Sequence, residues 1–328
     1  MKATLRTTLA AALTAALTAA AIALAGCGGS PAAGGPAARI SVDPTSSMPA
    51  LAAVEQGIFK KNGVEVTTQR FLAVQGVDAV LGGQMDFASA LDFAVLSRLQ
   101  TGRIKIVAAT ATPDPGFNKL IVSNSINKPA DLSGKRLGTV AGTVQEYIGS
   151  RYLADNKIDE SGVDIQKFTD FSEVVAALRT GKIDAGWVRA TDVKEATKSG
   201  NTKMLADDSA VRSSSSIFLV AGVDFIKQNP ETVQNVLKSL DEGSTYVNTH
   251  PDETAETIAK STQSDPATLK SVIPTTKFGI SLTKDQLQGL AEVQKFAVER
   301  KLLKPGSDVN TYVDSTALQA VLPGKVKL

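Results

Sequence analysis

Several short stretches place hydroxyls, small residues, an aromatic ring and charges where the chain changes direction. They are Ser46-Ser47-Met48, Ser89-Ala90 with Asp92, Phe117-Asn118, Gly142-Thr143, and Trp187 with Arg189. None pairs a nucleophile with a base or groups metal-ligating side chains, so the chemistry they suit is recognition. Hydroxyls and free backbone N–H groups at helix starts favour anions. An arginine beside a tryptophan suits a sulfonate, a carboxylate or nitrate, or an aromatic acid stacked on the indole. The candidate ligand contacts are therefore Ser46, Ser47, Met48, Ser89, Ala90, Asp92, Asn118, Gly142, Thr143, Trp187 and Arg189. Each has a plainer reading. Ser46, Ser47 and Asp92 can cap helices, and Gly142-Thr143 can be an ordinary turn, since no Gly-Lys-Ser/Thr follows to make a phosphate loop. Trp187, the only tryptophan, can pack beneath a cleft, and Arg189 can pair with Asp192. Arg212 and the run Ser213 to Ser216 read as a loop.

The elements that position these residues repeat. Leu178 to Asp192 reads as a helix end, Gly181, an apolar residue, Asp184 and a strand opening into Trp187 and Arg189. The same order occurs earlier, with Gly83 matching Gly181 and Asp86 matching Asp184. Two such copies predict two similar lobes, each offering the open end of a strand. Strands are predicted at 40–43, 64–71, 86–90, 104–109, 120–122, 137–140, 163–168, 183–187, 202–205 and 217–221. They alternate with helices of about ten residues, which indicates βαβ units and a mostly parallel sheet. After Ala221 the chain reads as helical. Val233, Val236, Leu237, Leu240, Ser244 and Val247 recur at helical spacing, and further helices are predicted over 252–260 and 283–301.

The 328 residues suffice for one large or two medium domains, and 43% hydrophobic content supports a sizeable core without staples. The first 26 residues read as a leader: Lys2 and Arg6 precede an Ala/Leu-rich run from Leu9 to Leu24. Leu24-Ala25-Gly26-Cys27 resembles the lipobox of bacterial lipoproteins, which implies lipidation at Cys27 and an extracytoplasmic, membrane-anchored location. Stable anchoring needs more than one acyl chain, each buried methylene adding roughly 0.8 kcal/mol. The resemblance implies diacylglycerol on the sulfur. Residues 27–38 form the lipidated Cys and a flexible Gly/Pro/Ala linker. Cys27 is the only cysteine, so no disulfide or thiolate metal site forms within one chain. Removing Lys2 and Arg6 from the 35 basic residues leaves 33 against 33 acids, and aromatics are 5%. Neither number supports nucleic-acid binding.

Four passages carry a family likeness: Pro49 to Phe59, Gly83 to Ala88, Asp131 to Gly138 and Gly181 to Ala185. Together they resemble the substrate-binding proteins of nitrate, sulfonate, taurine and thiamine-precursor importers, over nearly all of residues 39–305. The resemblance implies a type II periplasmic-binding fold: two α/β lobes joined by two crossing segments, with the ligand cleft between them. Lobe one is expected over residues 39–122 plus 218–328 and lobe two over 123–217. It also implies a monomer that takes a small-molecule ligand, needs no cofactor or metal, and delivers the solute to an ABC permease with its ATPase. The chain departs from the family at Arg189-Ala190-Thr191, where members often have a Glu-Pro pair. A tethered sensor is an alternative. A thiamine-pyrimidine-synthase-like enzyme would need an active-site histidine and a Cys-rich motif, whereas the sole histidine, His250, lies between two tail helices.

Overall fold

A computed structural model describes residues 35–211 and 215–328. The expected leader, Cys27, the linker up to residue 34, Arg212, Ser213 and Ser214 lie outside the described residues.

In chain order the first strands are β1 (Ala37–Val42), β2 (Glu65–Arg70), β3 (Phe87–Leu91), β4 (Ile104–Pro113), β5 (Asn118–Ser123) and β6 (Arg136–Val140). The others are β7 (Asp164–Phe168), β8 (Ala185–Arg189), β9 (Thr202–Asp207), β10 (Ile217–Gly222), β11 (Thr276–Thr283) and β12 (Val326–Lys327). They form a seven-stranded sheet, β12-β11-β4-β10-β3-β1-β2, and a five-stranded sheet, β7-β6-β8-β5-β9.

The two sheets repeat one plan. In each, a central strand (β1 or β6) lies between two parallel neighbours, β2 and β3 or β7 and β8. An antiparallel strand from the chain's later or earlier passage then joins, β10 beside β3 and β5 beside β8. The sheets are therefore mixed, which corrects the mostly parallel expectation: β4, β5, β10 and β11 all make antiparallel pairs. The predicted echo is physical. Gly83 and Gly181 take φ of 72° and 69°, a left-handed turn that glycine adopts without Cβ strain. Asp86 then accepts from the Arg39 backbone N–H at 2.7 Å and from its guanidinium, and Asp184 does the same for Arg136 at 3.0 Å. The hydrogen bonds from Arg136 hold the Asp184 carboxyl down at about 2.

The chain passes between the sheets twice, through 114–117 after β4 and again between the end of β9 at Asp207 and the start of β10 at Ile217. β5 belongs wholly to the second sheet, so the expected boundary near residue 122 moves back to 114–117. β11 was not anticipated: Thr276, Phe278, Ile280 and Leu282 alternate inward along it within a tail read as helical. The helix Pro230–Thr249 buries the periodic face expected of it and crosses the helix Met48–Glu55. There Gly243 lies so close that a Cβ would meet the Pro49 carbonyl oxygen at 2.3 Å. The crossing needs a residue without a side chain.

Candidate ligand-binding site

Parallel strands of an open sheet end in loops that lead into helix N-termini, where ligands gather. Both sheets use this arrangement, and the loops face one cleft. Asp43, Thr45 and Ser46 follow β1, Leu72 to Gln75 follow β2, and Leu91 ends β3. From the second sheet, Thr143 to Gln145 follow β6, Thr169 and Phe171 follow β7, and Arg189 ends β8. Phe117 on the first crossing segment, Ile217 and the tail residues Val272 and Thr276 complete the lining. The space between these loops, its opening to solvent included, is about 850 Å³, and its lining is mostly apolar.

Charge enters at two places. Asp43 Oδ1 accepts from the Thr45 backbone N–H at 2.9 Å, the Thr45 hydroxyl at 2.6 Å and the Ser46 N–H at 3.1 Å. These bonds fix the loop after β1 and leave a buried carboxylate on the wall. Opposite in origin, Arg189 forks onto Asp192, Nε to Oδ2 at 2.8 Å and Nη2 to Oδ1 at 3.2 Å. Its guanidinium also lies 4.5 Å from the centre of the Phe171 ring. Burial pulls the Arg189 pKa down, but the bonds from Asp192 and the charges of Asp192, Asp43 and Asp170 outweigh it, so the pKa is raised and the charge is kept.

The structure sorts the sequence candidates. Ser46, Thr143 and Arg189 line the cleft, as does Phe117. Ser47 and Ser89 instead line a separate small void under the helix Met48–Glu55. Ser47 Oγ accepts from the Asp43 N–H at 3.1 Å, so it braces the loop rather than capping the helix. Met48 and Ala90 are fully buried. Asp92 sits buried in the first turn of its helix, accepting from the Phe93 N–H at 2.7 Å. Gly142 has φ of 70° and turns the chain beneath the Arg98 guanidinium, outside the lining. Asn118 is buried behind the cleft, bonded to Asp208 and Gln145.

Trp187 is the main correction. It is fully buried, edge-on to Tyr152 at 5.5 Å and against Gly149, so it packs the second sheet onto the helix Val144–Asp155. Trp187 lies inside β8, whereas Arg189 is the last residue of that strand and reaches the cleft. Sequence reasoning missed Asp43, Leu72 to Gln75, Gln145, Thr169, Phe171, Val272 and Thr276. Applying the strand-end rule to β2 and β7 as well as to β1, β3, β6 and β8 would have found Leu72, Thr169 and Phe171.

His250 lies exposed between the helices Pro230–Thr249 and Pro251–Thr262, stacked on Tyr246 at 4.5 Å. Among the described residues, no group of His, Cys, Asp and Glu side chains is arranged to hold a metal ion. Among them, too, no helix is long and apolar enough to cross a membrane.

Two α/β sheets built on one plan, two crossing segments and a cleft between matching strand ends define the periplasmic-binding-protein fold. Residues 44–254 match the family model described as "NMT1/THI5 like", and the chain belongs to that family. No curated protein matches it. Among solved structures it is similar to the alkanesulfonate-binding protein SsuA from Xanthomonas axonopodis pv. citri bound to MOPS, with a TM-score of 0.73 and 18% identity. That match covers 85% of this chain and 98% of the other. The periplasmic aliphatic sulphonate binding protein SsuA from Escherichia coli gives the same TM-score and identity over 85% and 92%. The desulfurization enzyme DSZB matches at a TM-score of 0.63 and 16% identity, over 88% and 99%. At these identities the likeness shows a shared fold.

Proposed function

We propose that this chain is an extracytoplasmic solute-binding lipoprotein of an ABC importer. It traps a small organic solute by closure of the two lobes on the cleft and hands it to the permease. The observation that carries this reading is the cleft lined by matching strand ends of both sheets and holding Asp43 and Arg189. A site walled from two sides gains its affinity when a hinge brings the walls together. The apolar lining favours an aliphatic or aromatic body over a bare nitrate ion. Family membership and the names of the two sulfonate-binding relatives support import over catalysis. The cleft lining contains neither His nor Cys. A tethered sensor would use the same closure, and a neighbouring permease and ATPase gene would favour import.

A thermal-shift panel of nitrate, taurine, alkanesulfonates, benzoates, benzamides and pyrimidines tests the reading. A compound held at 100 times its dissociation constant stabilises the protein by about 2.7 kcal/mol. A panel in which nothing moves the melting point overturns solute binding. The anchor is tested separately. Cys27→Ser should move the protein from the membrane fraction to the soluble fraction, and an unchanged distribution removes lipidation from the proposal.

A further inference from the structure

Gln145 is the second residue of the helix Val144–Asp155 and lines the cleft, although the residue is only 2% exposed. Its Nε2 donates to Asn118 Oδ1 at 2.6 Å. Asn118 cannot turn its amide over, because its Nδ2 donates to Asp208 Oδ2 at 2.7 Å, and a carboxylate offers only acceptors. Asp208 is itself fixed where the two crossing segments meet, taking the backbone N–H of Gly116 at 2.6 Å and of Asn118 at 3.3 Å on Oδ1. The row Asp208–Asn118–Gln145 therefore has one direction. The carboxylate orients the Asn118 amide, Asn118 orients the Gln145 amide, and Gln145 Oε1 is left as an acceptor. That oxygen is buried and accepts no hydrogen bond among the described residues.

A buried acceptor without a partner is unfavourable, and a ligand donor relieves it. An oxyanion brings only lone pairs and would set them against Gln145 Oε1. The two charged groups of the wall point the same way: Asp43 is a carboxylate, and the Arg189 fork is occupied by Asp192. Resting on the solute-binding reading, we propose that the cleft selects a non-anionic organic solute, one whose apolar body carries an N–H or O–H donor bonded to Gln145 Oε1. Gln145 is then a specificity-determining residue, and Asn118 and Asp208 position it.

Calorimetric titration of the purified full chain with two shape-matched pairs tests this. The pairs are benzamide against benzoate and benzenesulfonamide against benzenesulfonate, each offering a donor or an anion on the same ring. Each donor-bearing member should bind at least tenfold more tightly than its anionic partner. Gln145→Met and Gln145→Leu keep an apolar side chain of similar size. In both, the affinity for the amides should fall about tenfold and the preference should vanish. Equal or tighter binding of the anions by the unsubstituted chain overturns the inference and leaves solute binding intact. A preference that survives both substitutions also overturns it, by assigning selectivity to another group. If none of the four probes binds, this inference falls. Solute binding falls with it only if the wider panel also fails.

Discussion

Asp86 and Asp184 occupy equivalent places in the two sheets, each gripping the backbone N–H and the guanidinium of an arginine on the neighbouring strand. The strand that each aspartate introduces is thereby locked beside the central strand of its sheet. Those paired strands deliver Leu91 and Arg189 to the cleft. The site is thus two copies of one strand-end arrangement turned toward each other. Their differences, Leu91 against Arg189 and Asp43 against Val140, give the cleft its polarity.

The Asp184 clamp predicts a pH-dependent contribution to stability. Its carboxyl is shifted from an ordinary 3.8 to about 2 by the Arg136 hydrogen bonds. A folded-state value below the unfolded one gives stability that is fully present above pH 3.8 and lost as pH falls toward 2. With the pair partly exposed to solvent, that contribution is about 1 kcal/mol. Asp184→Asn should therefore be less stable than the unsubstituted chain at pH 7 by about that amount. Urea unfolding should show the gap closing between pH 4 and pH 2, and a gap independent of pH would refute the clamp.

The helix crossing at Gly243 predicts a different kind of loss. A Cβ at Gly243 meets the Pro49 carbonyl oxygen at 2.3 Å and Ala53 Cβ at 3.2 Å, backbone and a rigid methyl that cannot step aside. Gly243→Ala should destabilise the fold by about 1–3 kcal/mol, the usual cost of overpacking. Gly279→Ala is the control, since nothing lies within 4 Å of its Cβ position. Denaturant midpoints of the two variants should separate accordingly.

How much of this was legible in the sequence follows from the range of the interactions. Period-two and period-3.6 patterns carry local information, and they located ten of the strands and the long tail helix with its buried face. The Gly83/Gly181 and Asp86/Asp184 echo showed that the plan repeats. β11 escaped although Phe278, Ile280 and Leu282 alternate, because the helical periodicity on both sides of it dominated the reading. At the site, Arg189 and Trp187 were both legible as residues but not as positions. Which of two side chains on one strand reaches solvent depends on where the strand ends. Gln145 was invisible for a further reason. Its role depends on Asn118 and Asp208, far away in the chain, and no local pattern records that pairing.

Trp187 supplies a direct check on its placement behind the cleft. As the only tryptophan, fully buried against Tyr152, it should show blue-shifted emission that moves to the red as the protein unfolds in urea. Trp187→Ala should cost about 3–5 kcal/mol through the cavity it leaves. Trp187→Phe keeps most of the packing and should bind benzamide as the unsubstituted chain does. A loss of binding in a folded Trp187→Phe protein would return the indole to the cleft wall.

Arg189 and Asp192 predict how selectivity could be reversed. The guanidinium holds its charge on the cleft wall, but both arms of its fork are spent on Asp192 and its face lies on Phe171. Asp192→Asn removes the balancing carboxylate and leaves the cation facing the cleft with its bidentate geometry available. Benzenesulfonate and benzoate should then bind about tenfold more tightly than to the unsubstituted chain, equivalent to about 1.4 kcal/mol. Raising the salt concentration should weaken that gain, because the new attraction is between partly exposed charges. Arg189→Lys in the Asp192→Asn background should lose most of the gain, since an ammonium is a point charge without the planar fork. If Asp192→Asn left anion affinity unchanged in titration calorimetry, the Arg189 charge would be shown to act only within the second sheet, as the anchor of the loop after β8.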